Sequence, residues 1–270
     1  MVFGIDFTSR PSLRKPITGL ECRLRGRRLE ARELHEWPGF DGLESFLRRP
    51  GPWIAGLDFP FGQSRRFIET AGWPSPWREY VPYAASLGRN GFRDCLDAYR
   101  ASRPPGDKEH RRATDIAAGS ISPQKVYGTP VGLMFFEGAP RLLQAGVDIP
   151  GLHRGDPQRT VVEAYPGILA RSVIGRRSYK QDTVGKQTAA QAEARKELLR
   201  RVTRQDGLPD YDLVVEAPAT LADDPGGDHL DALLCAIQAA WAWTRRESGY
   251  GAPAHLPPEE GWIADPQLIP

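Results

Sequence analysis

Two segments of the chain share a four-residue pattern that places a carboxylate among apolar residues. Gly4-Ile5-Asp6-Phe7 and Gly56-Leu57-Asp58-Phe59 are each typical of the end of a buried strand. Residues two apart in a strand share a face, so each glycine should lie beside its aspartate. We expect the missing side chain to leave room there for an ion or a substrate backbone. Two acids facing one open space repel unless one of them is protonated or a cation lies between them, and we take this as a first indication of a divalent metal.

Three further acids lie at positions where a strand or helix begins or ends. Glu163 closes the β-branched run that starts at Thr160, and Asp228 and Asp231 open a helix after Gly226-Gly227. Structural roles also fit these acids. Asp228 could be an N-cap as readily as a ligand, Asp231 suits the helix dipole, and Glu163 could pair with an arginine.

Carboxylates that converge from several elements are typical of sites for hard divalent cations. Mg²⁺ prefers oxygen ligands, and a pair of such ions can clamp the attacking and leaving oxygens of a phosphoryl displacement. The sequence therefore predicts a Mg²⁺ or Mn²⁺ site. Its predicted metal ligands are Asp6, Asp58, Glu163, Asp228 and Asp231, of which Asp6, Asp58, Glu163 and Asp231 are the predicted catalytic residues.

The order of elements predicts how the first two acids meet. A first strand ends at Asp6, a hairpin covers residues 19–34, and an amphipathic helix covers residues 40–49 before the strand that ends at Asp58. A right-handed crossover through that helix makes the fourth strand parallel to the first. Asp6 and Asp58 then lie side by side at the carboxyl ends of the strands, where sites of open α/β sheets are found.

The remaining chain predicts one domain over residues 1–270 with two additions. From about residue 63 to 155 the strand pattern stops, and helical segments with Trp- and Pro-rich connectors indicate an insertion after the fourth strand. Helices are predicted at residues 188–204 and 226–241. The Gly- and Pro-rich residues from about 247 to 270 predict an extended C-terminal tail.

Four of these segments resemble a known family. Gly4–Phe7, Gly56–Gly62, Val162–Pro166 and Asp228–Leu233 are similar to motifs of the domain-of-unknown-function 429 family, a predicted nuclease branch of the ribonuclease-H-like superfamily. The resemblance implies an α/β fold, with a mixed five-stranded sheet flanked by helices. It also implies that Asp6, Asp58 and Asp231 hold metal, with Glu163 or Asp228 completing the set. The long insertion departs from the small ribonucleases.

Substrate contacts are expected in two basic segments. Residues 8–16 form a basic turn after the first strand, and Arg10 in it could meet a phosphate, although a solvated loop is an equal reading. The resemblance directs attention to Arg112, Asp115 and Lys125 in the insertion as further substrate-binding residues.

The amino-acid composition limits which binding partners and which cellular compartment are expected. The 270 residues carry 36 basic and 34 acidic side chains, so nucleic-acid binding would depend on a local patch. The three cysteines are isolated and no signal peptide is evident, which predicts a reducing cytoplasm. No apolar run reaches the roughly 20 residues of a membrane helix.

The predicted function is a metal-dependent hydrolase, a nuclease or phosphodiesterase that acts on nucleic acid or another phosphodiester. An actin-like ATP-binding phosphotransferase is an alternative, although its glycine-rich phosphate loops have no counterpart after Asp6 and a weak one at Gly226-Gly227. A non-catalytic member that binds nucleic acid or protein is a third. The sequence leaves open DNA against RNA, endo- against exonuclease action, and the oligomeric state.

Overall fold

The fold is built on a mixed sheet of seven strands. The computed structural model describes residues 1–254 and 257–269. The strands in chain order are β1 (Val2–Asp6), β2 (Ile17–Arg25), β3 (Arg28–Trp37), β4 (Trp53–Leu57), β5 (Val147–Asp148), β6 (Asp156–Glu163) and β7 (Val214–Glu216). They lie in the order β5-β6-β4-β1-β2-β3-β7.

Strand β1 is central and pairs differently on its two sides. It is antiparallel to β2, which forms the hairpin with β3, and parallel to β4. The predicted α/β class, mixed sheet and parallel pairing of the first and fourth strands are therefore confirmed. The expectation of five strands is wrong, because β5 and β7 add a short strand at each edge. Strands of two and three residues are too short to produce a periodic sequence pattern.

Helices cover both faces of the sheet. In the described residues they are α1 (Phe40–Leu47), α2 (Arg65–Ala71), α3 (Trp77–Ser86), α4 (Gly88–Ala101), α5 (Ala113–Ala118), α6 (Val131–Ala145), α7 (Pro166–Ile174), α8 (Ala189–Val202) and α9 (Asp228–Thr244). One core lies between the sheet and helices α7, α8 and α9. A second core lies on the opposite face, between the sheet, α1 and the helices α2, α3, α4 and α6.

Alternation along β1 assigns its side chains to these two cores. Val2 belongs to the core with α9, and Gly4 contacts that helix. Phe3 and Ile5 belong to the opposite core. Because successive residues in a strand face opposite sides, Asp6 is directed to the α9 face at the end of the strand.

The segment between β4 and β6 is mainly helical and packs on the sheet. Five helices, α2 to α6, lie in it, and buried aromatic residues such as Phe67, Tyr80 and Phe135 join the same core as Phe3 and Leu57. The insertion is thus continuous with the core on the α1 side of the sheet.

The C-terminal residues differ from the predicted extended tail. Trp262, Ile263 and Ala264 are buried, and Ile263 forms a parallel bridge with Glu163 beside β6. Burying these apolar side chains removes their surface from water and holds the segment against the sheet. The abundance of glycine and proline favoured the prediction of an extended tail. The apolar run at residues 262–264 is too short to show a periodic pattern that would indicate burial.

Among the helices that the structure describes, none combines the length and apolar character required to cross a bilayer.

Candidate metal centre

Asp6 and Asp58 lie next to each other at the carboxyl ends of two parallel strands. Gly4 is opposite Gly56 and Ile5 is opposite Leu57 in the register of β1 and β4. The backbone N–H of Asp58 donates to the carbonyl oxygen of Ile5 at 3.0 Å, which holds the first residue after β4 against β1. The repeated tetrads therefore bring their two carboxylates to one edge of the sheet.

The two glycines allow helix α9 to lie directly on the strands. A Cβ atom on Gly4 would lie 1.9 Å from the carbonyl oxygen of Ala232, and one on Gly56 would lie 2.4 Å from that of Cys235. The expectation that the glycines leave space for an ion or a substrate backbone is therefore wrong, because helix backbone fills that space. Their effect is to lower α9 onto the strands and to bring Asp231, in its first turn, to the two other acids.

Three carboxylates converge where these elements meet. One carboxylate oxygen from each of Asp6, Asp58 and Asp231 lies within 4.8 Å of the other two. Asp231 is fully buried and Asp6 is 8% exposed, while Asp58 is half-buried. Within residues 1–254 and 257–269, the carboxylates of Asp6 and Asp58 accept no hydrogen bond. Buried, unpartnered oxygens are the donors that a hard cation such as Mg²⁺ or Mn²⁺ requires, so these residues fit such an ion.

Asp231 is fixed by two neighbours from the loop between α7 and α8. The hydroxyl of Tyr179 donates to its Oδ1, and the ammonium of Lys180 donates to its Oδ2. Neither Tyr179 nor Lys180 is among the site residues predicted from the sequence. No local pattern could have found them, because their partner lies about fifty positions along the chain.

Burial and crowding of like charges change the acid strengths in the cluster. Burial raises the pKa of Asp58 to about 7, with Asp231 adding to the shift and Lys180 opposing it. Burial, followed by the charges of Asp231 and Asp228, raises the pKa of Asp6 well above its ordinary range. Burial opposes the charged form of Lys180, but Asp231 and its neighbours hold that pKa well above the ordinary value. Asp6 and Asp58 therefore bind protons tightly and would exchange them for a cation.

Asp228 lies beside the cluster and is paired with a lysine. Its Oδ1 accepts from the Nζ of Lys15 at 2.7 Å, and Lys15 also donates to the exposed Asp182 at 2.9 Å. Asp228 is the first helical residue and does not cap the helix. Asp224 caps it, since its Oδ2 accepts from the backbone N–H of Asp228 at 2.7 Å.

Glu163 lies on the other face of the sheet, contrary to its prediction as a metal ligand and catalytic residue. In the register of β4 and β6, Glu163 is opposite Leu57, and cross-strand partners share a face. Leu57 belongs to the core on the α1 side, whereas Asp58 is one residue further and faces α9. A one-residue step in a strand reverses the face, so a carboxylate at a strand exit can still miss the cluster.

Arg112 forms ion pairs with both Glu163 and Asp115, contrary to the prediction that Arg112 and Asp115 bind substrate. The buried Arg112 guanidinium donates to Glu163 Oε1 at 2.5 Å and Oε2 at 2.7 Å, and to Asp115 Oδ1 at 2.8 Å. Its Nη1 also donates to the carbonyl oxygen of Glu260 at 3.0 Å. Because its donors are used in a buried network that joins the insertion, β6 and the C-terminal segment, Arg112 has a structural role.

The other two predicted substrate contacts, Arg10 and Lys125, are not among the described residues that line the cleft over the acids. Arg10 is exposed in the loop after β1, next to Thr8 and Ser9, which line the cleft over the acids. The ammonium of Lys125 lies 5.1 Å from the ring centroid of Tyr127.

The acids form the floor of an open cleft of about 440 Å³. Asp6, Asp58 and Asp228 line it together with Lys15 and Lys180, and so do residues 128–130 and Met134 of the insertion. The cleft is therefore bounded both by the sheet edge and by the segment inserted after β4.

The fold and the site define an α/β protein with a carboxylate cluster at the carboxyl ends of its central parallel strands. A family model described as "Protein of unknown function (DUF429)" matches residues 4–258, so the chain belongs to that family. No curated protein and no solved structure matches the chain.

Proposed function

We propose that the chain is a Mg²⁺- or Mn²⁺-dependent hydrolase of phosphodiesters, with nucleic acid as the first substrate to test. The observation that supports it best is the convergence of Asp6, Asp58 and Asp231 from three separate elements, with the buried Asp6 carboxylate unpartnered in the described residues. Burying unpaired charges is costly, so such an arrangement is stable chiefly where a cation balances it.

The order of the inner strands supports a ribonuclease-H-like assignment. In the order β3-β2-β1-β4-β6, strands β1 to β3 are antiparallel neighbours, and β4 and β6 run parallel to β1. Asp6 ends β1, Asp58 follows β4, and Asp231 lies in α9. This is the arrangement that the resemblance implies. The site, rather than the fold, is the basis of the functional proposal, because one fold serves many functions.

The chain's own residues supply two effects. Asp6 and Asp58 would hold the ion, which when bound would lower the pKa of a water molecule and neutralise charge on phosphate. Lys15 and Lys180 line the cleft and present positive charge to phosphate oxygens. In hydrolysis, the oxygen of water bonds to phosphorus and the phosphorus–oxygen bond to the leaving alcohol breaks. The water loses a proton and the leaving oxygen gains one.

The direct test is cleavage by purified protein with Mn²⁺ against single- and double-stranded DNA, RNA, and bis(p-nitrophenyl) phosphate. We expect hydrolysis of at least one of these that chelation with EDTA stops and that Asp6→Asn reduces by at least about a hundredfold, the scale at which removing one transition-state contact acts. Asp206→Asn is the matched control, because Asp206 is exposed and its carboxylate pairs with Arg204 at the surface.

Two results would contradict the proposal. Cleavage that Asp6→Asn leaves unchanged would place the activity outside this cleft. Tight ATP binding by the wild-type protein, without phosphodiester cleavage, would favour the actin-like phosphotransferase.

A further inference from the structure

The acidic cluster contains a cation of its own. We propose that the ammonium of Lys180 takes the place of a second metal ion, so that the chain binds one divalent cation rather than two. This inference rests on the proposed function and specifies how the site works.

Few carboxylate oxygens of the cluster are left to bind metal ions. Both oxygens of Asp231 accept hydrogen bonds, one from Tyr179 and one from Lys180. In the part of the chain that the structure describes, the carboxylates of Asp6 and Asp58 accept none. A two-ion site needs ligands for both ions, which lie roughly 3.5–4 Å apart. This cluster offers unengaged protein oxygens at Asp6 and Asp58, enough for one ion that completes its coordination with water and phosphate.

The balance of charge is the second argument. The three converging carboxylates, those of Asp6, Asp58 and Asp231, face the ammonium of Lys180. Lys15 is shared by Asp228 and Asp182 beside them. Two formal negative charges remain in the cluster of three, and one divalent ion neutralises them. A second divalent ion would leave an excess of positive charge unless it displaced a lysine.

The position of Lys180 is the third argument. Its side chain is 49% exposed, yet its ammonium reaches the fully buried carboxylate of Asp231 and lines the cleft. Tyr179 fixes the other oxygen of that carboxylate, so the ammonium is held in a defined place rather than moving freely at the surface. A lysine held in this way adds positive charge to a phosphate in the cleft with no change in its own bonding.

Counting bound Mn²⁺ tests the inference without any assay of cleavage. Calorimetric titration at pH 8, together with electron paramagnetic resonance of free Mn²⁺, gives the number of ions per chain. We expect one ion in the wild type and in Lys180→Arg, which keeps the charge. We expect two ions in Lys180→Met, because one oxygen of Asp231 is then released and one positive charge is lost. Lys180→Gln is a second neutral variant, to be used if Lys180→Met does not fold.

Lys186→Met is the matched control, since Lys186 is exposed and forms no ion pair among residues 1–254 and 257–269. It should bind one ion. Two ions in the wild type, or one ion in both neutral variants, would overturn the role of Lys180 and leave the proposed function intact. No ion in the wild type would overturn both, whereas cleavage by the wild type with one bound ion, together with two bound ions in Lys180→Met, would support both.

Discussion

Gly4 in β1 lies so close to Ala232 in α9 that a Cβ atom on the glycine would come within 1.9 Å of the alanine's carbonyl oxygen. This contact sets the height of the last helix above the sheet, and with it the distance from Asp231 to Asp6 and Asp58. The glycine of each tetrad thus affects the spacing of the acids indirectly, because it allows α9 to pack close to the strands.

Gly4→Ala should destabilise the protein, because the obstructing atoms are helix backbone and cannot rotate away. Overpacking of this kind costs about 1–3 kcal/mol, occasionally more. Urea denaturation measures the loss, and we also expect weaker Mn²⁺ binding as α9 moves away from the strands. Gly185→Ala is the matched control, since an added Cβ there meets nothing within 4 Å. Equal stability of the two variants would contradict the close packing of α9.

Asp58→Asn should stabilise the metal-free protein in a pH-dependent way. The pKa of Asp58 is raised from 3.8 to about 7. Between these values the folded protein keeps a proton that the unfolded chain has released, so this group lowers the free energy of unfolding as pH rises. The variant should match the wild type near pH 4 and exceed it above pH 7, by on the order of 1–4 kcal/mol. Denaturation in EDTA at pH 4, 5.5, 7 and 8 measures the difference, and a difference independent of pH would disprove it.

Mn²⁺ affinity should rise with pH over the same interval. A divalent ion and the protons on Asp6 and Asp58 compete for the same oxygens, so binding releases protons and strengthens as these groups ionise. Titrations at pH 5.5, 6.5, 7.5 and 8.5 should show the affinity rising through about pH 7, where Asp58 ionises. An affinity that is constant from pH 5.5 to 8.5 would contradict binding at these acids.

Arg112→Ala should unfold or strongly destabilise the protein, because it leaves Glu163 and Asp115 buried without their cation. Breaking a buried ion pair in this way costs about 3–5 kcal/mol. Arg112→Lys should also destabilise it, since one ammonium cannot replace the planar donors of the guanidinium.

The neighbouring Arg111 is exposed, and Arg111→Ala should leave the free energy of unfolding within about 0.5 kcal/mol of wild type. Chemical denaturation compares the three variants. A stably folded Arg112→Ala protein that had lost only affinity for substrate would restore the substrate-binding role predicted from the sequence.

The fold class could be predicted because the sequence of each main strand and helix indicates its own secondary structure. The hairpin and the helix at Phe40–Leu47 have periodic patterns, and the parallel strand Trp53–Leu57 is marked by its apolar run before Asp58. The edge strands β5 and β7, and the burial of Trp262 and Ile263, have no such signal. They depend on apolar surface that exists only once the sheet and its helices have formed.

The sequence alone determined that Asp6 and Asp58 would be neighbours, because two similar strands joined by a crossover helix leave little choice of pairing. It could not determine the faces of the other acids. Glu163 faces away from the cluster because of the register of β6 on β4, and Asp231 reaches it because two glycines admit α9. The pairing of Asp231 with Lys180 likewise joins distant loop and helix positions. Such relationships arise from packing between segments that are far apart in the chain. The local sequence pattern of a segment does not specify which distant segment will pack against it.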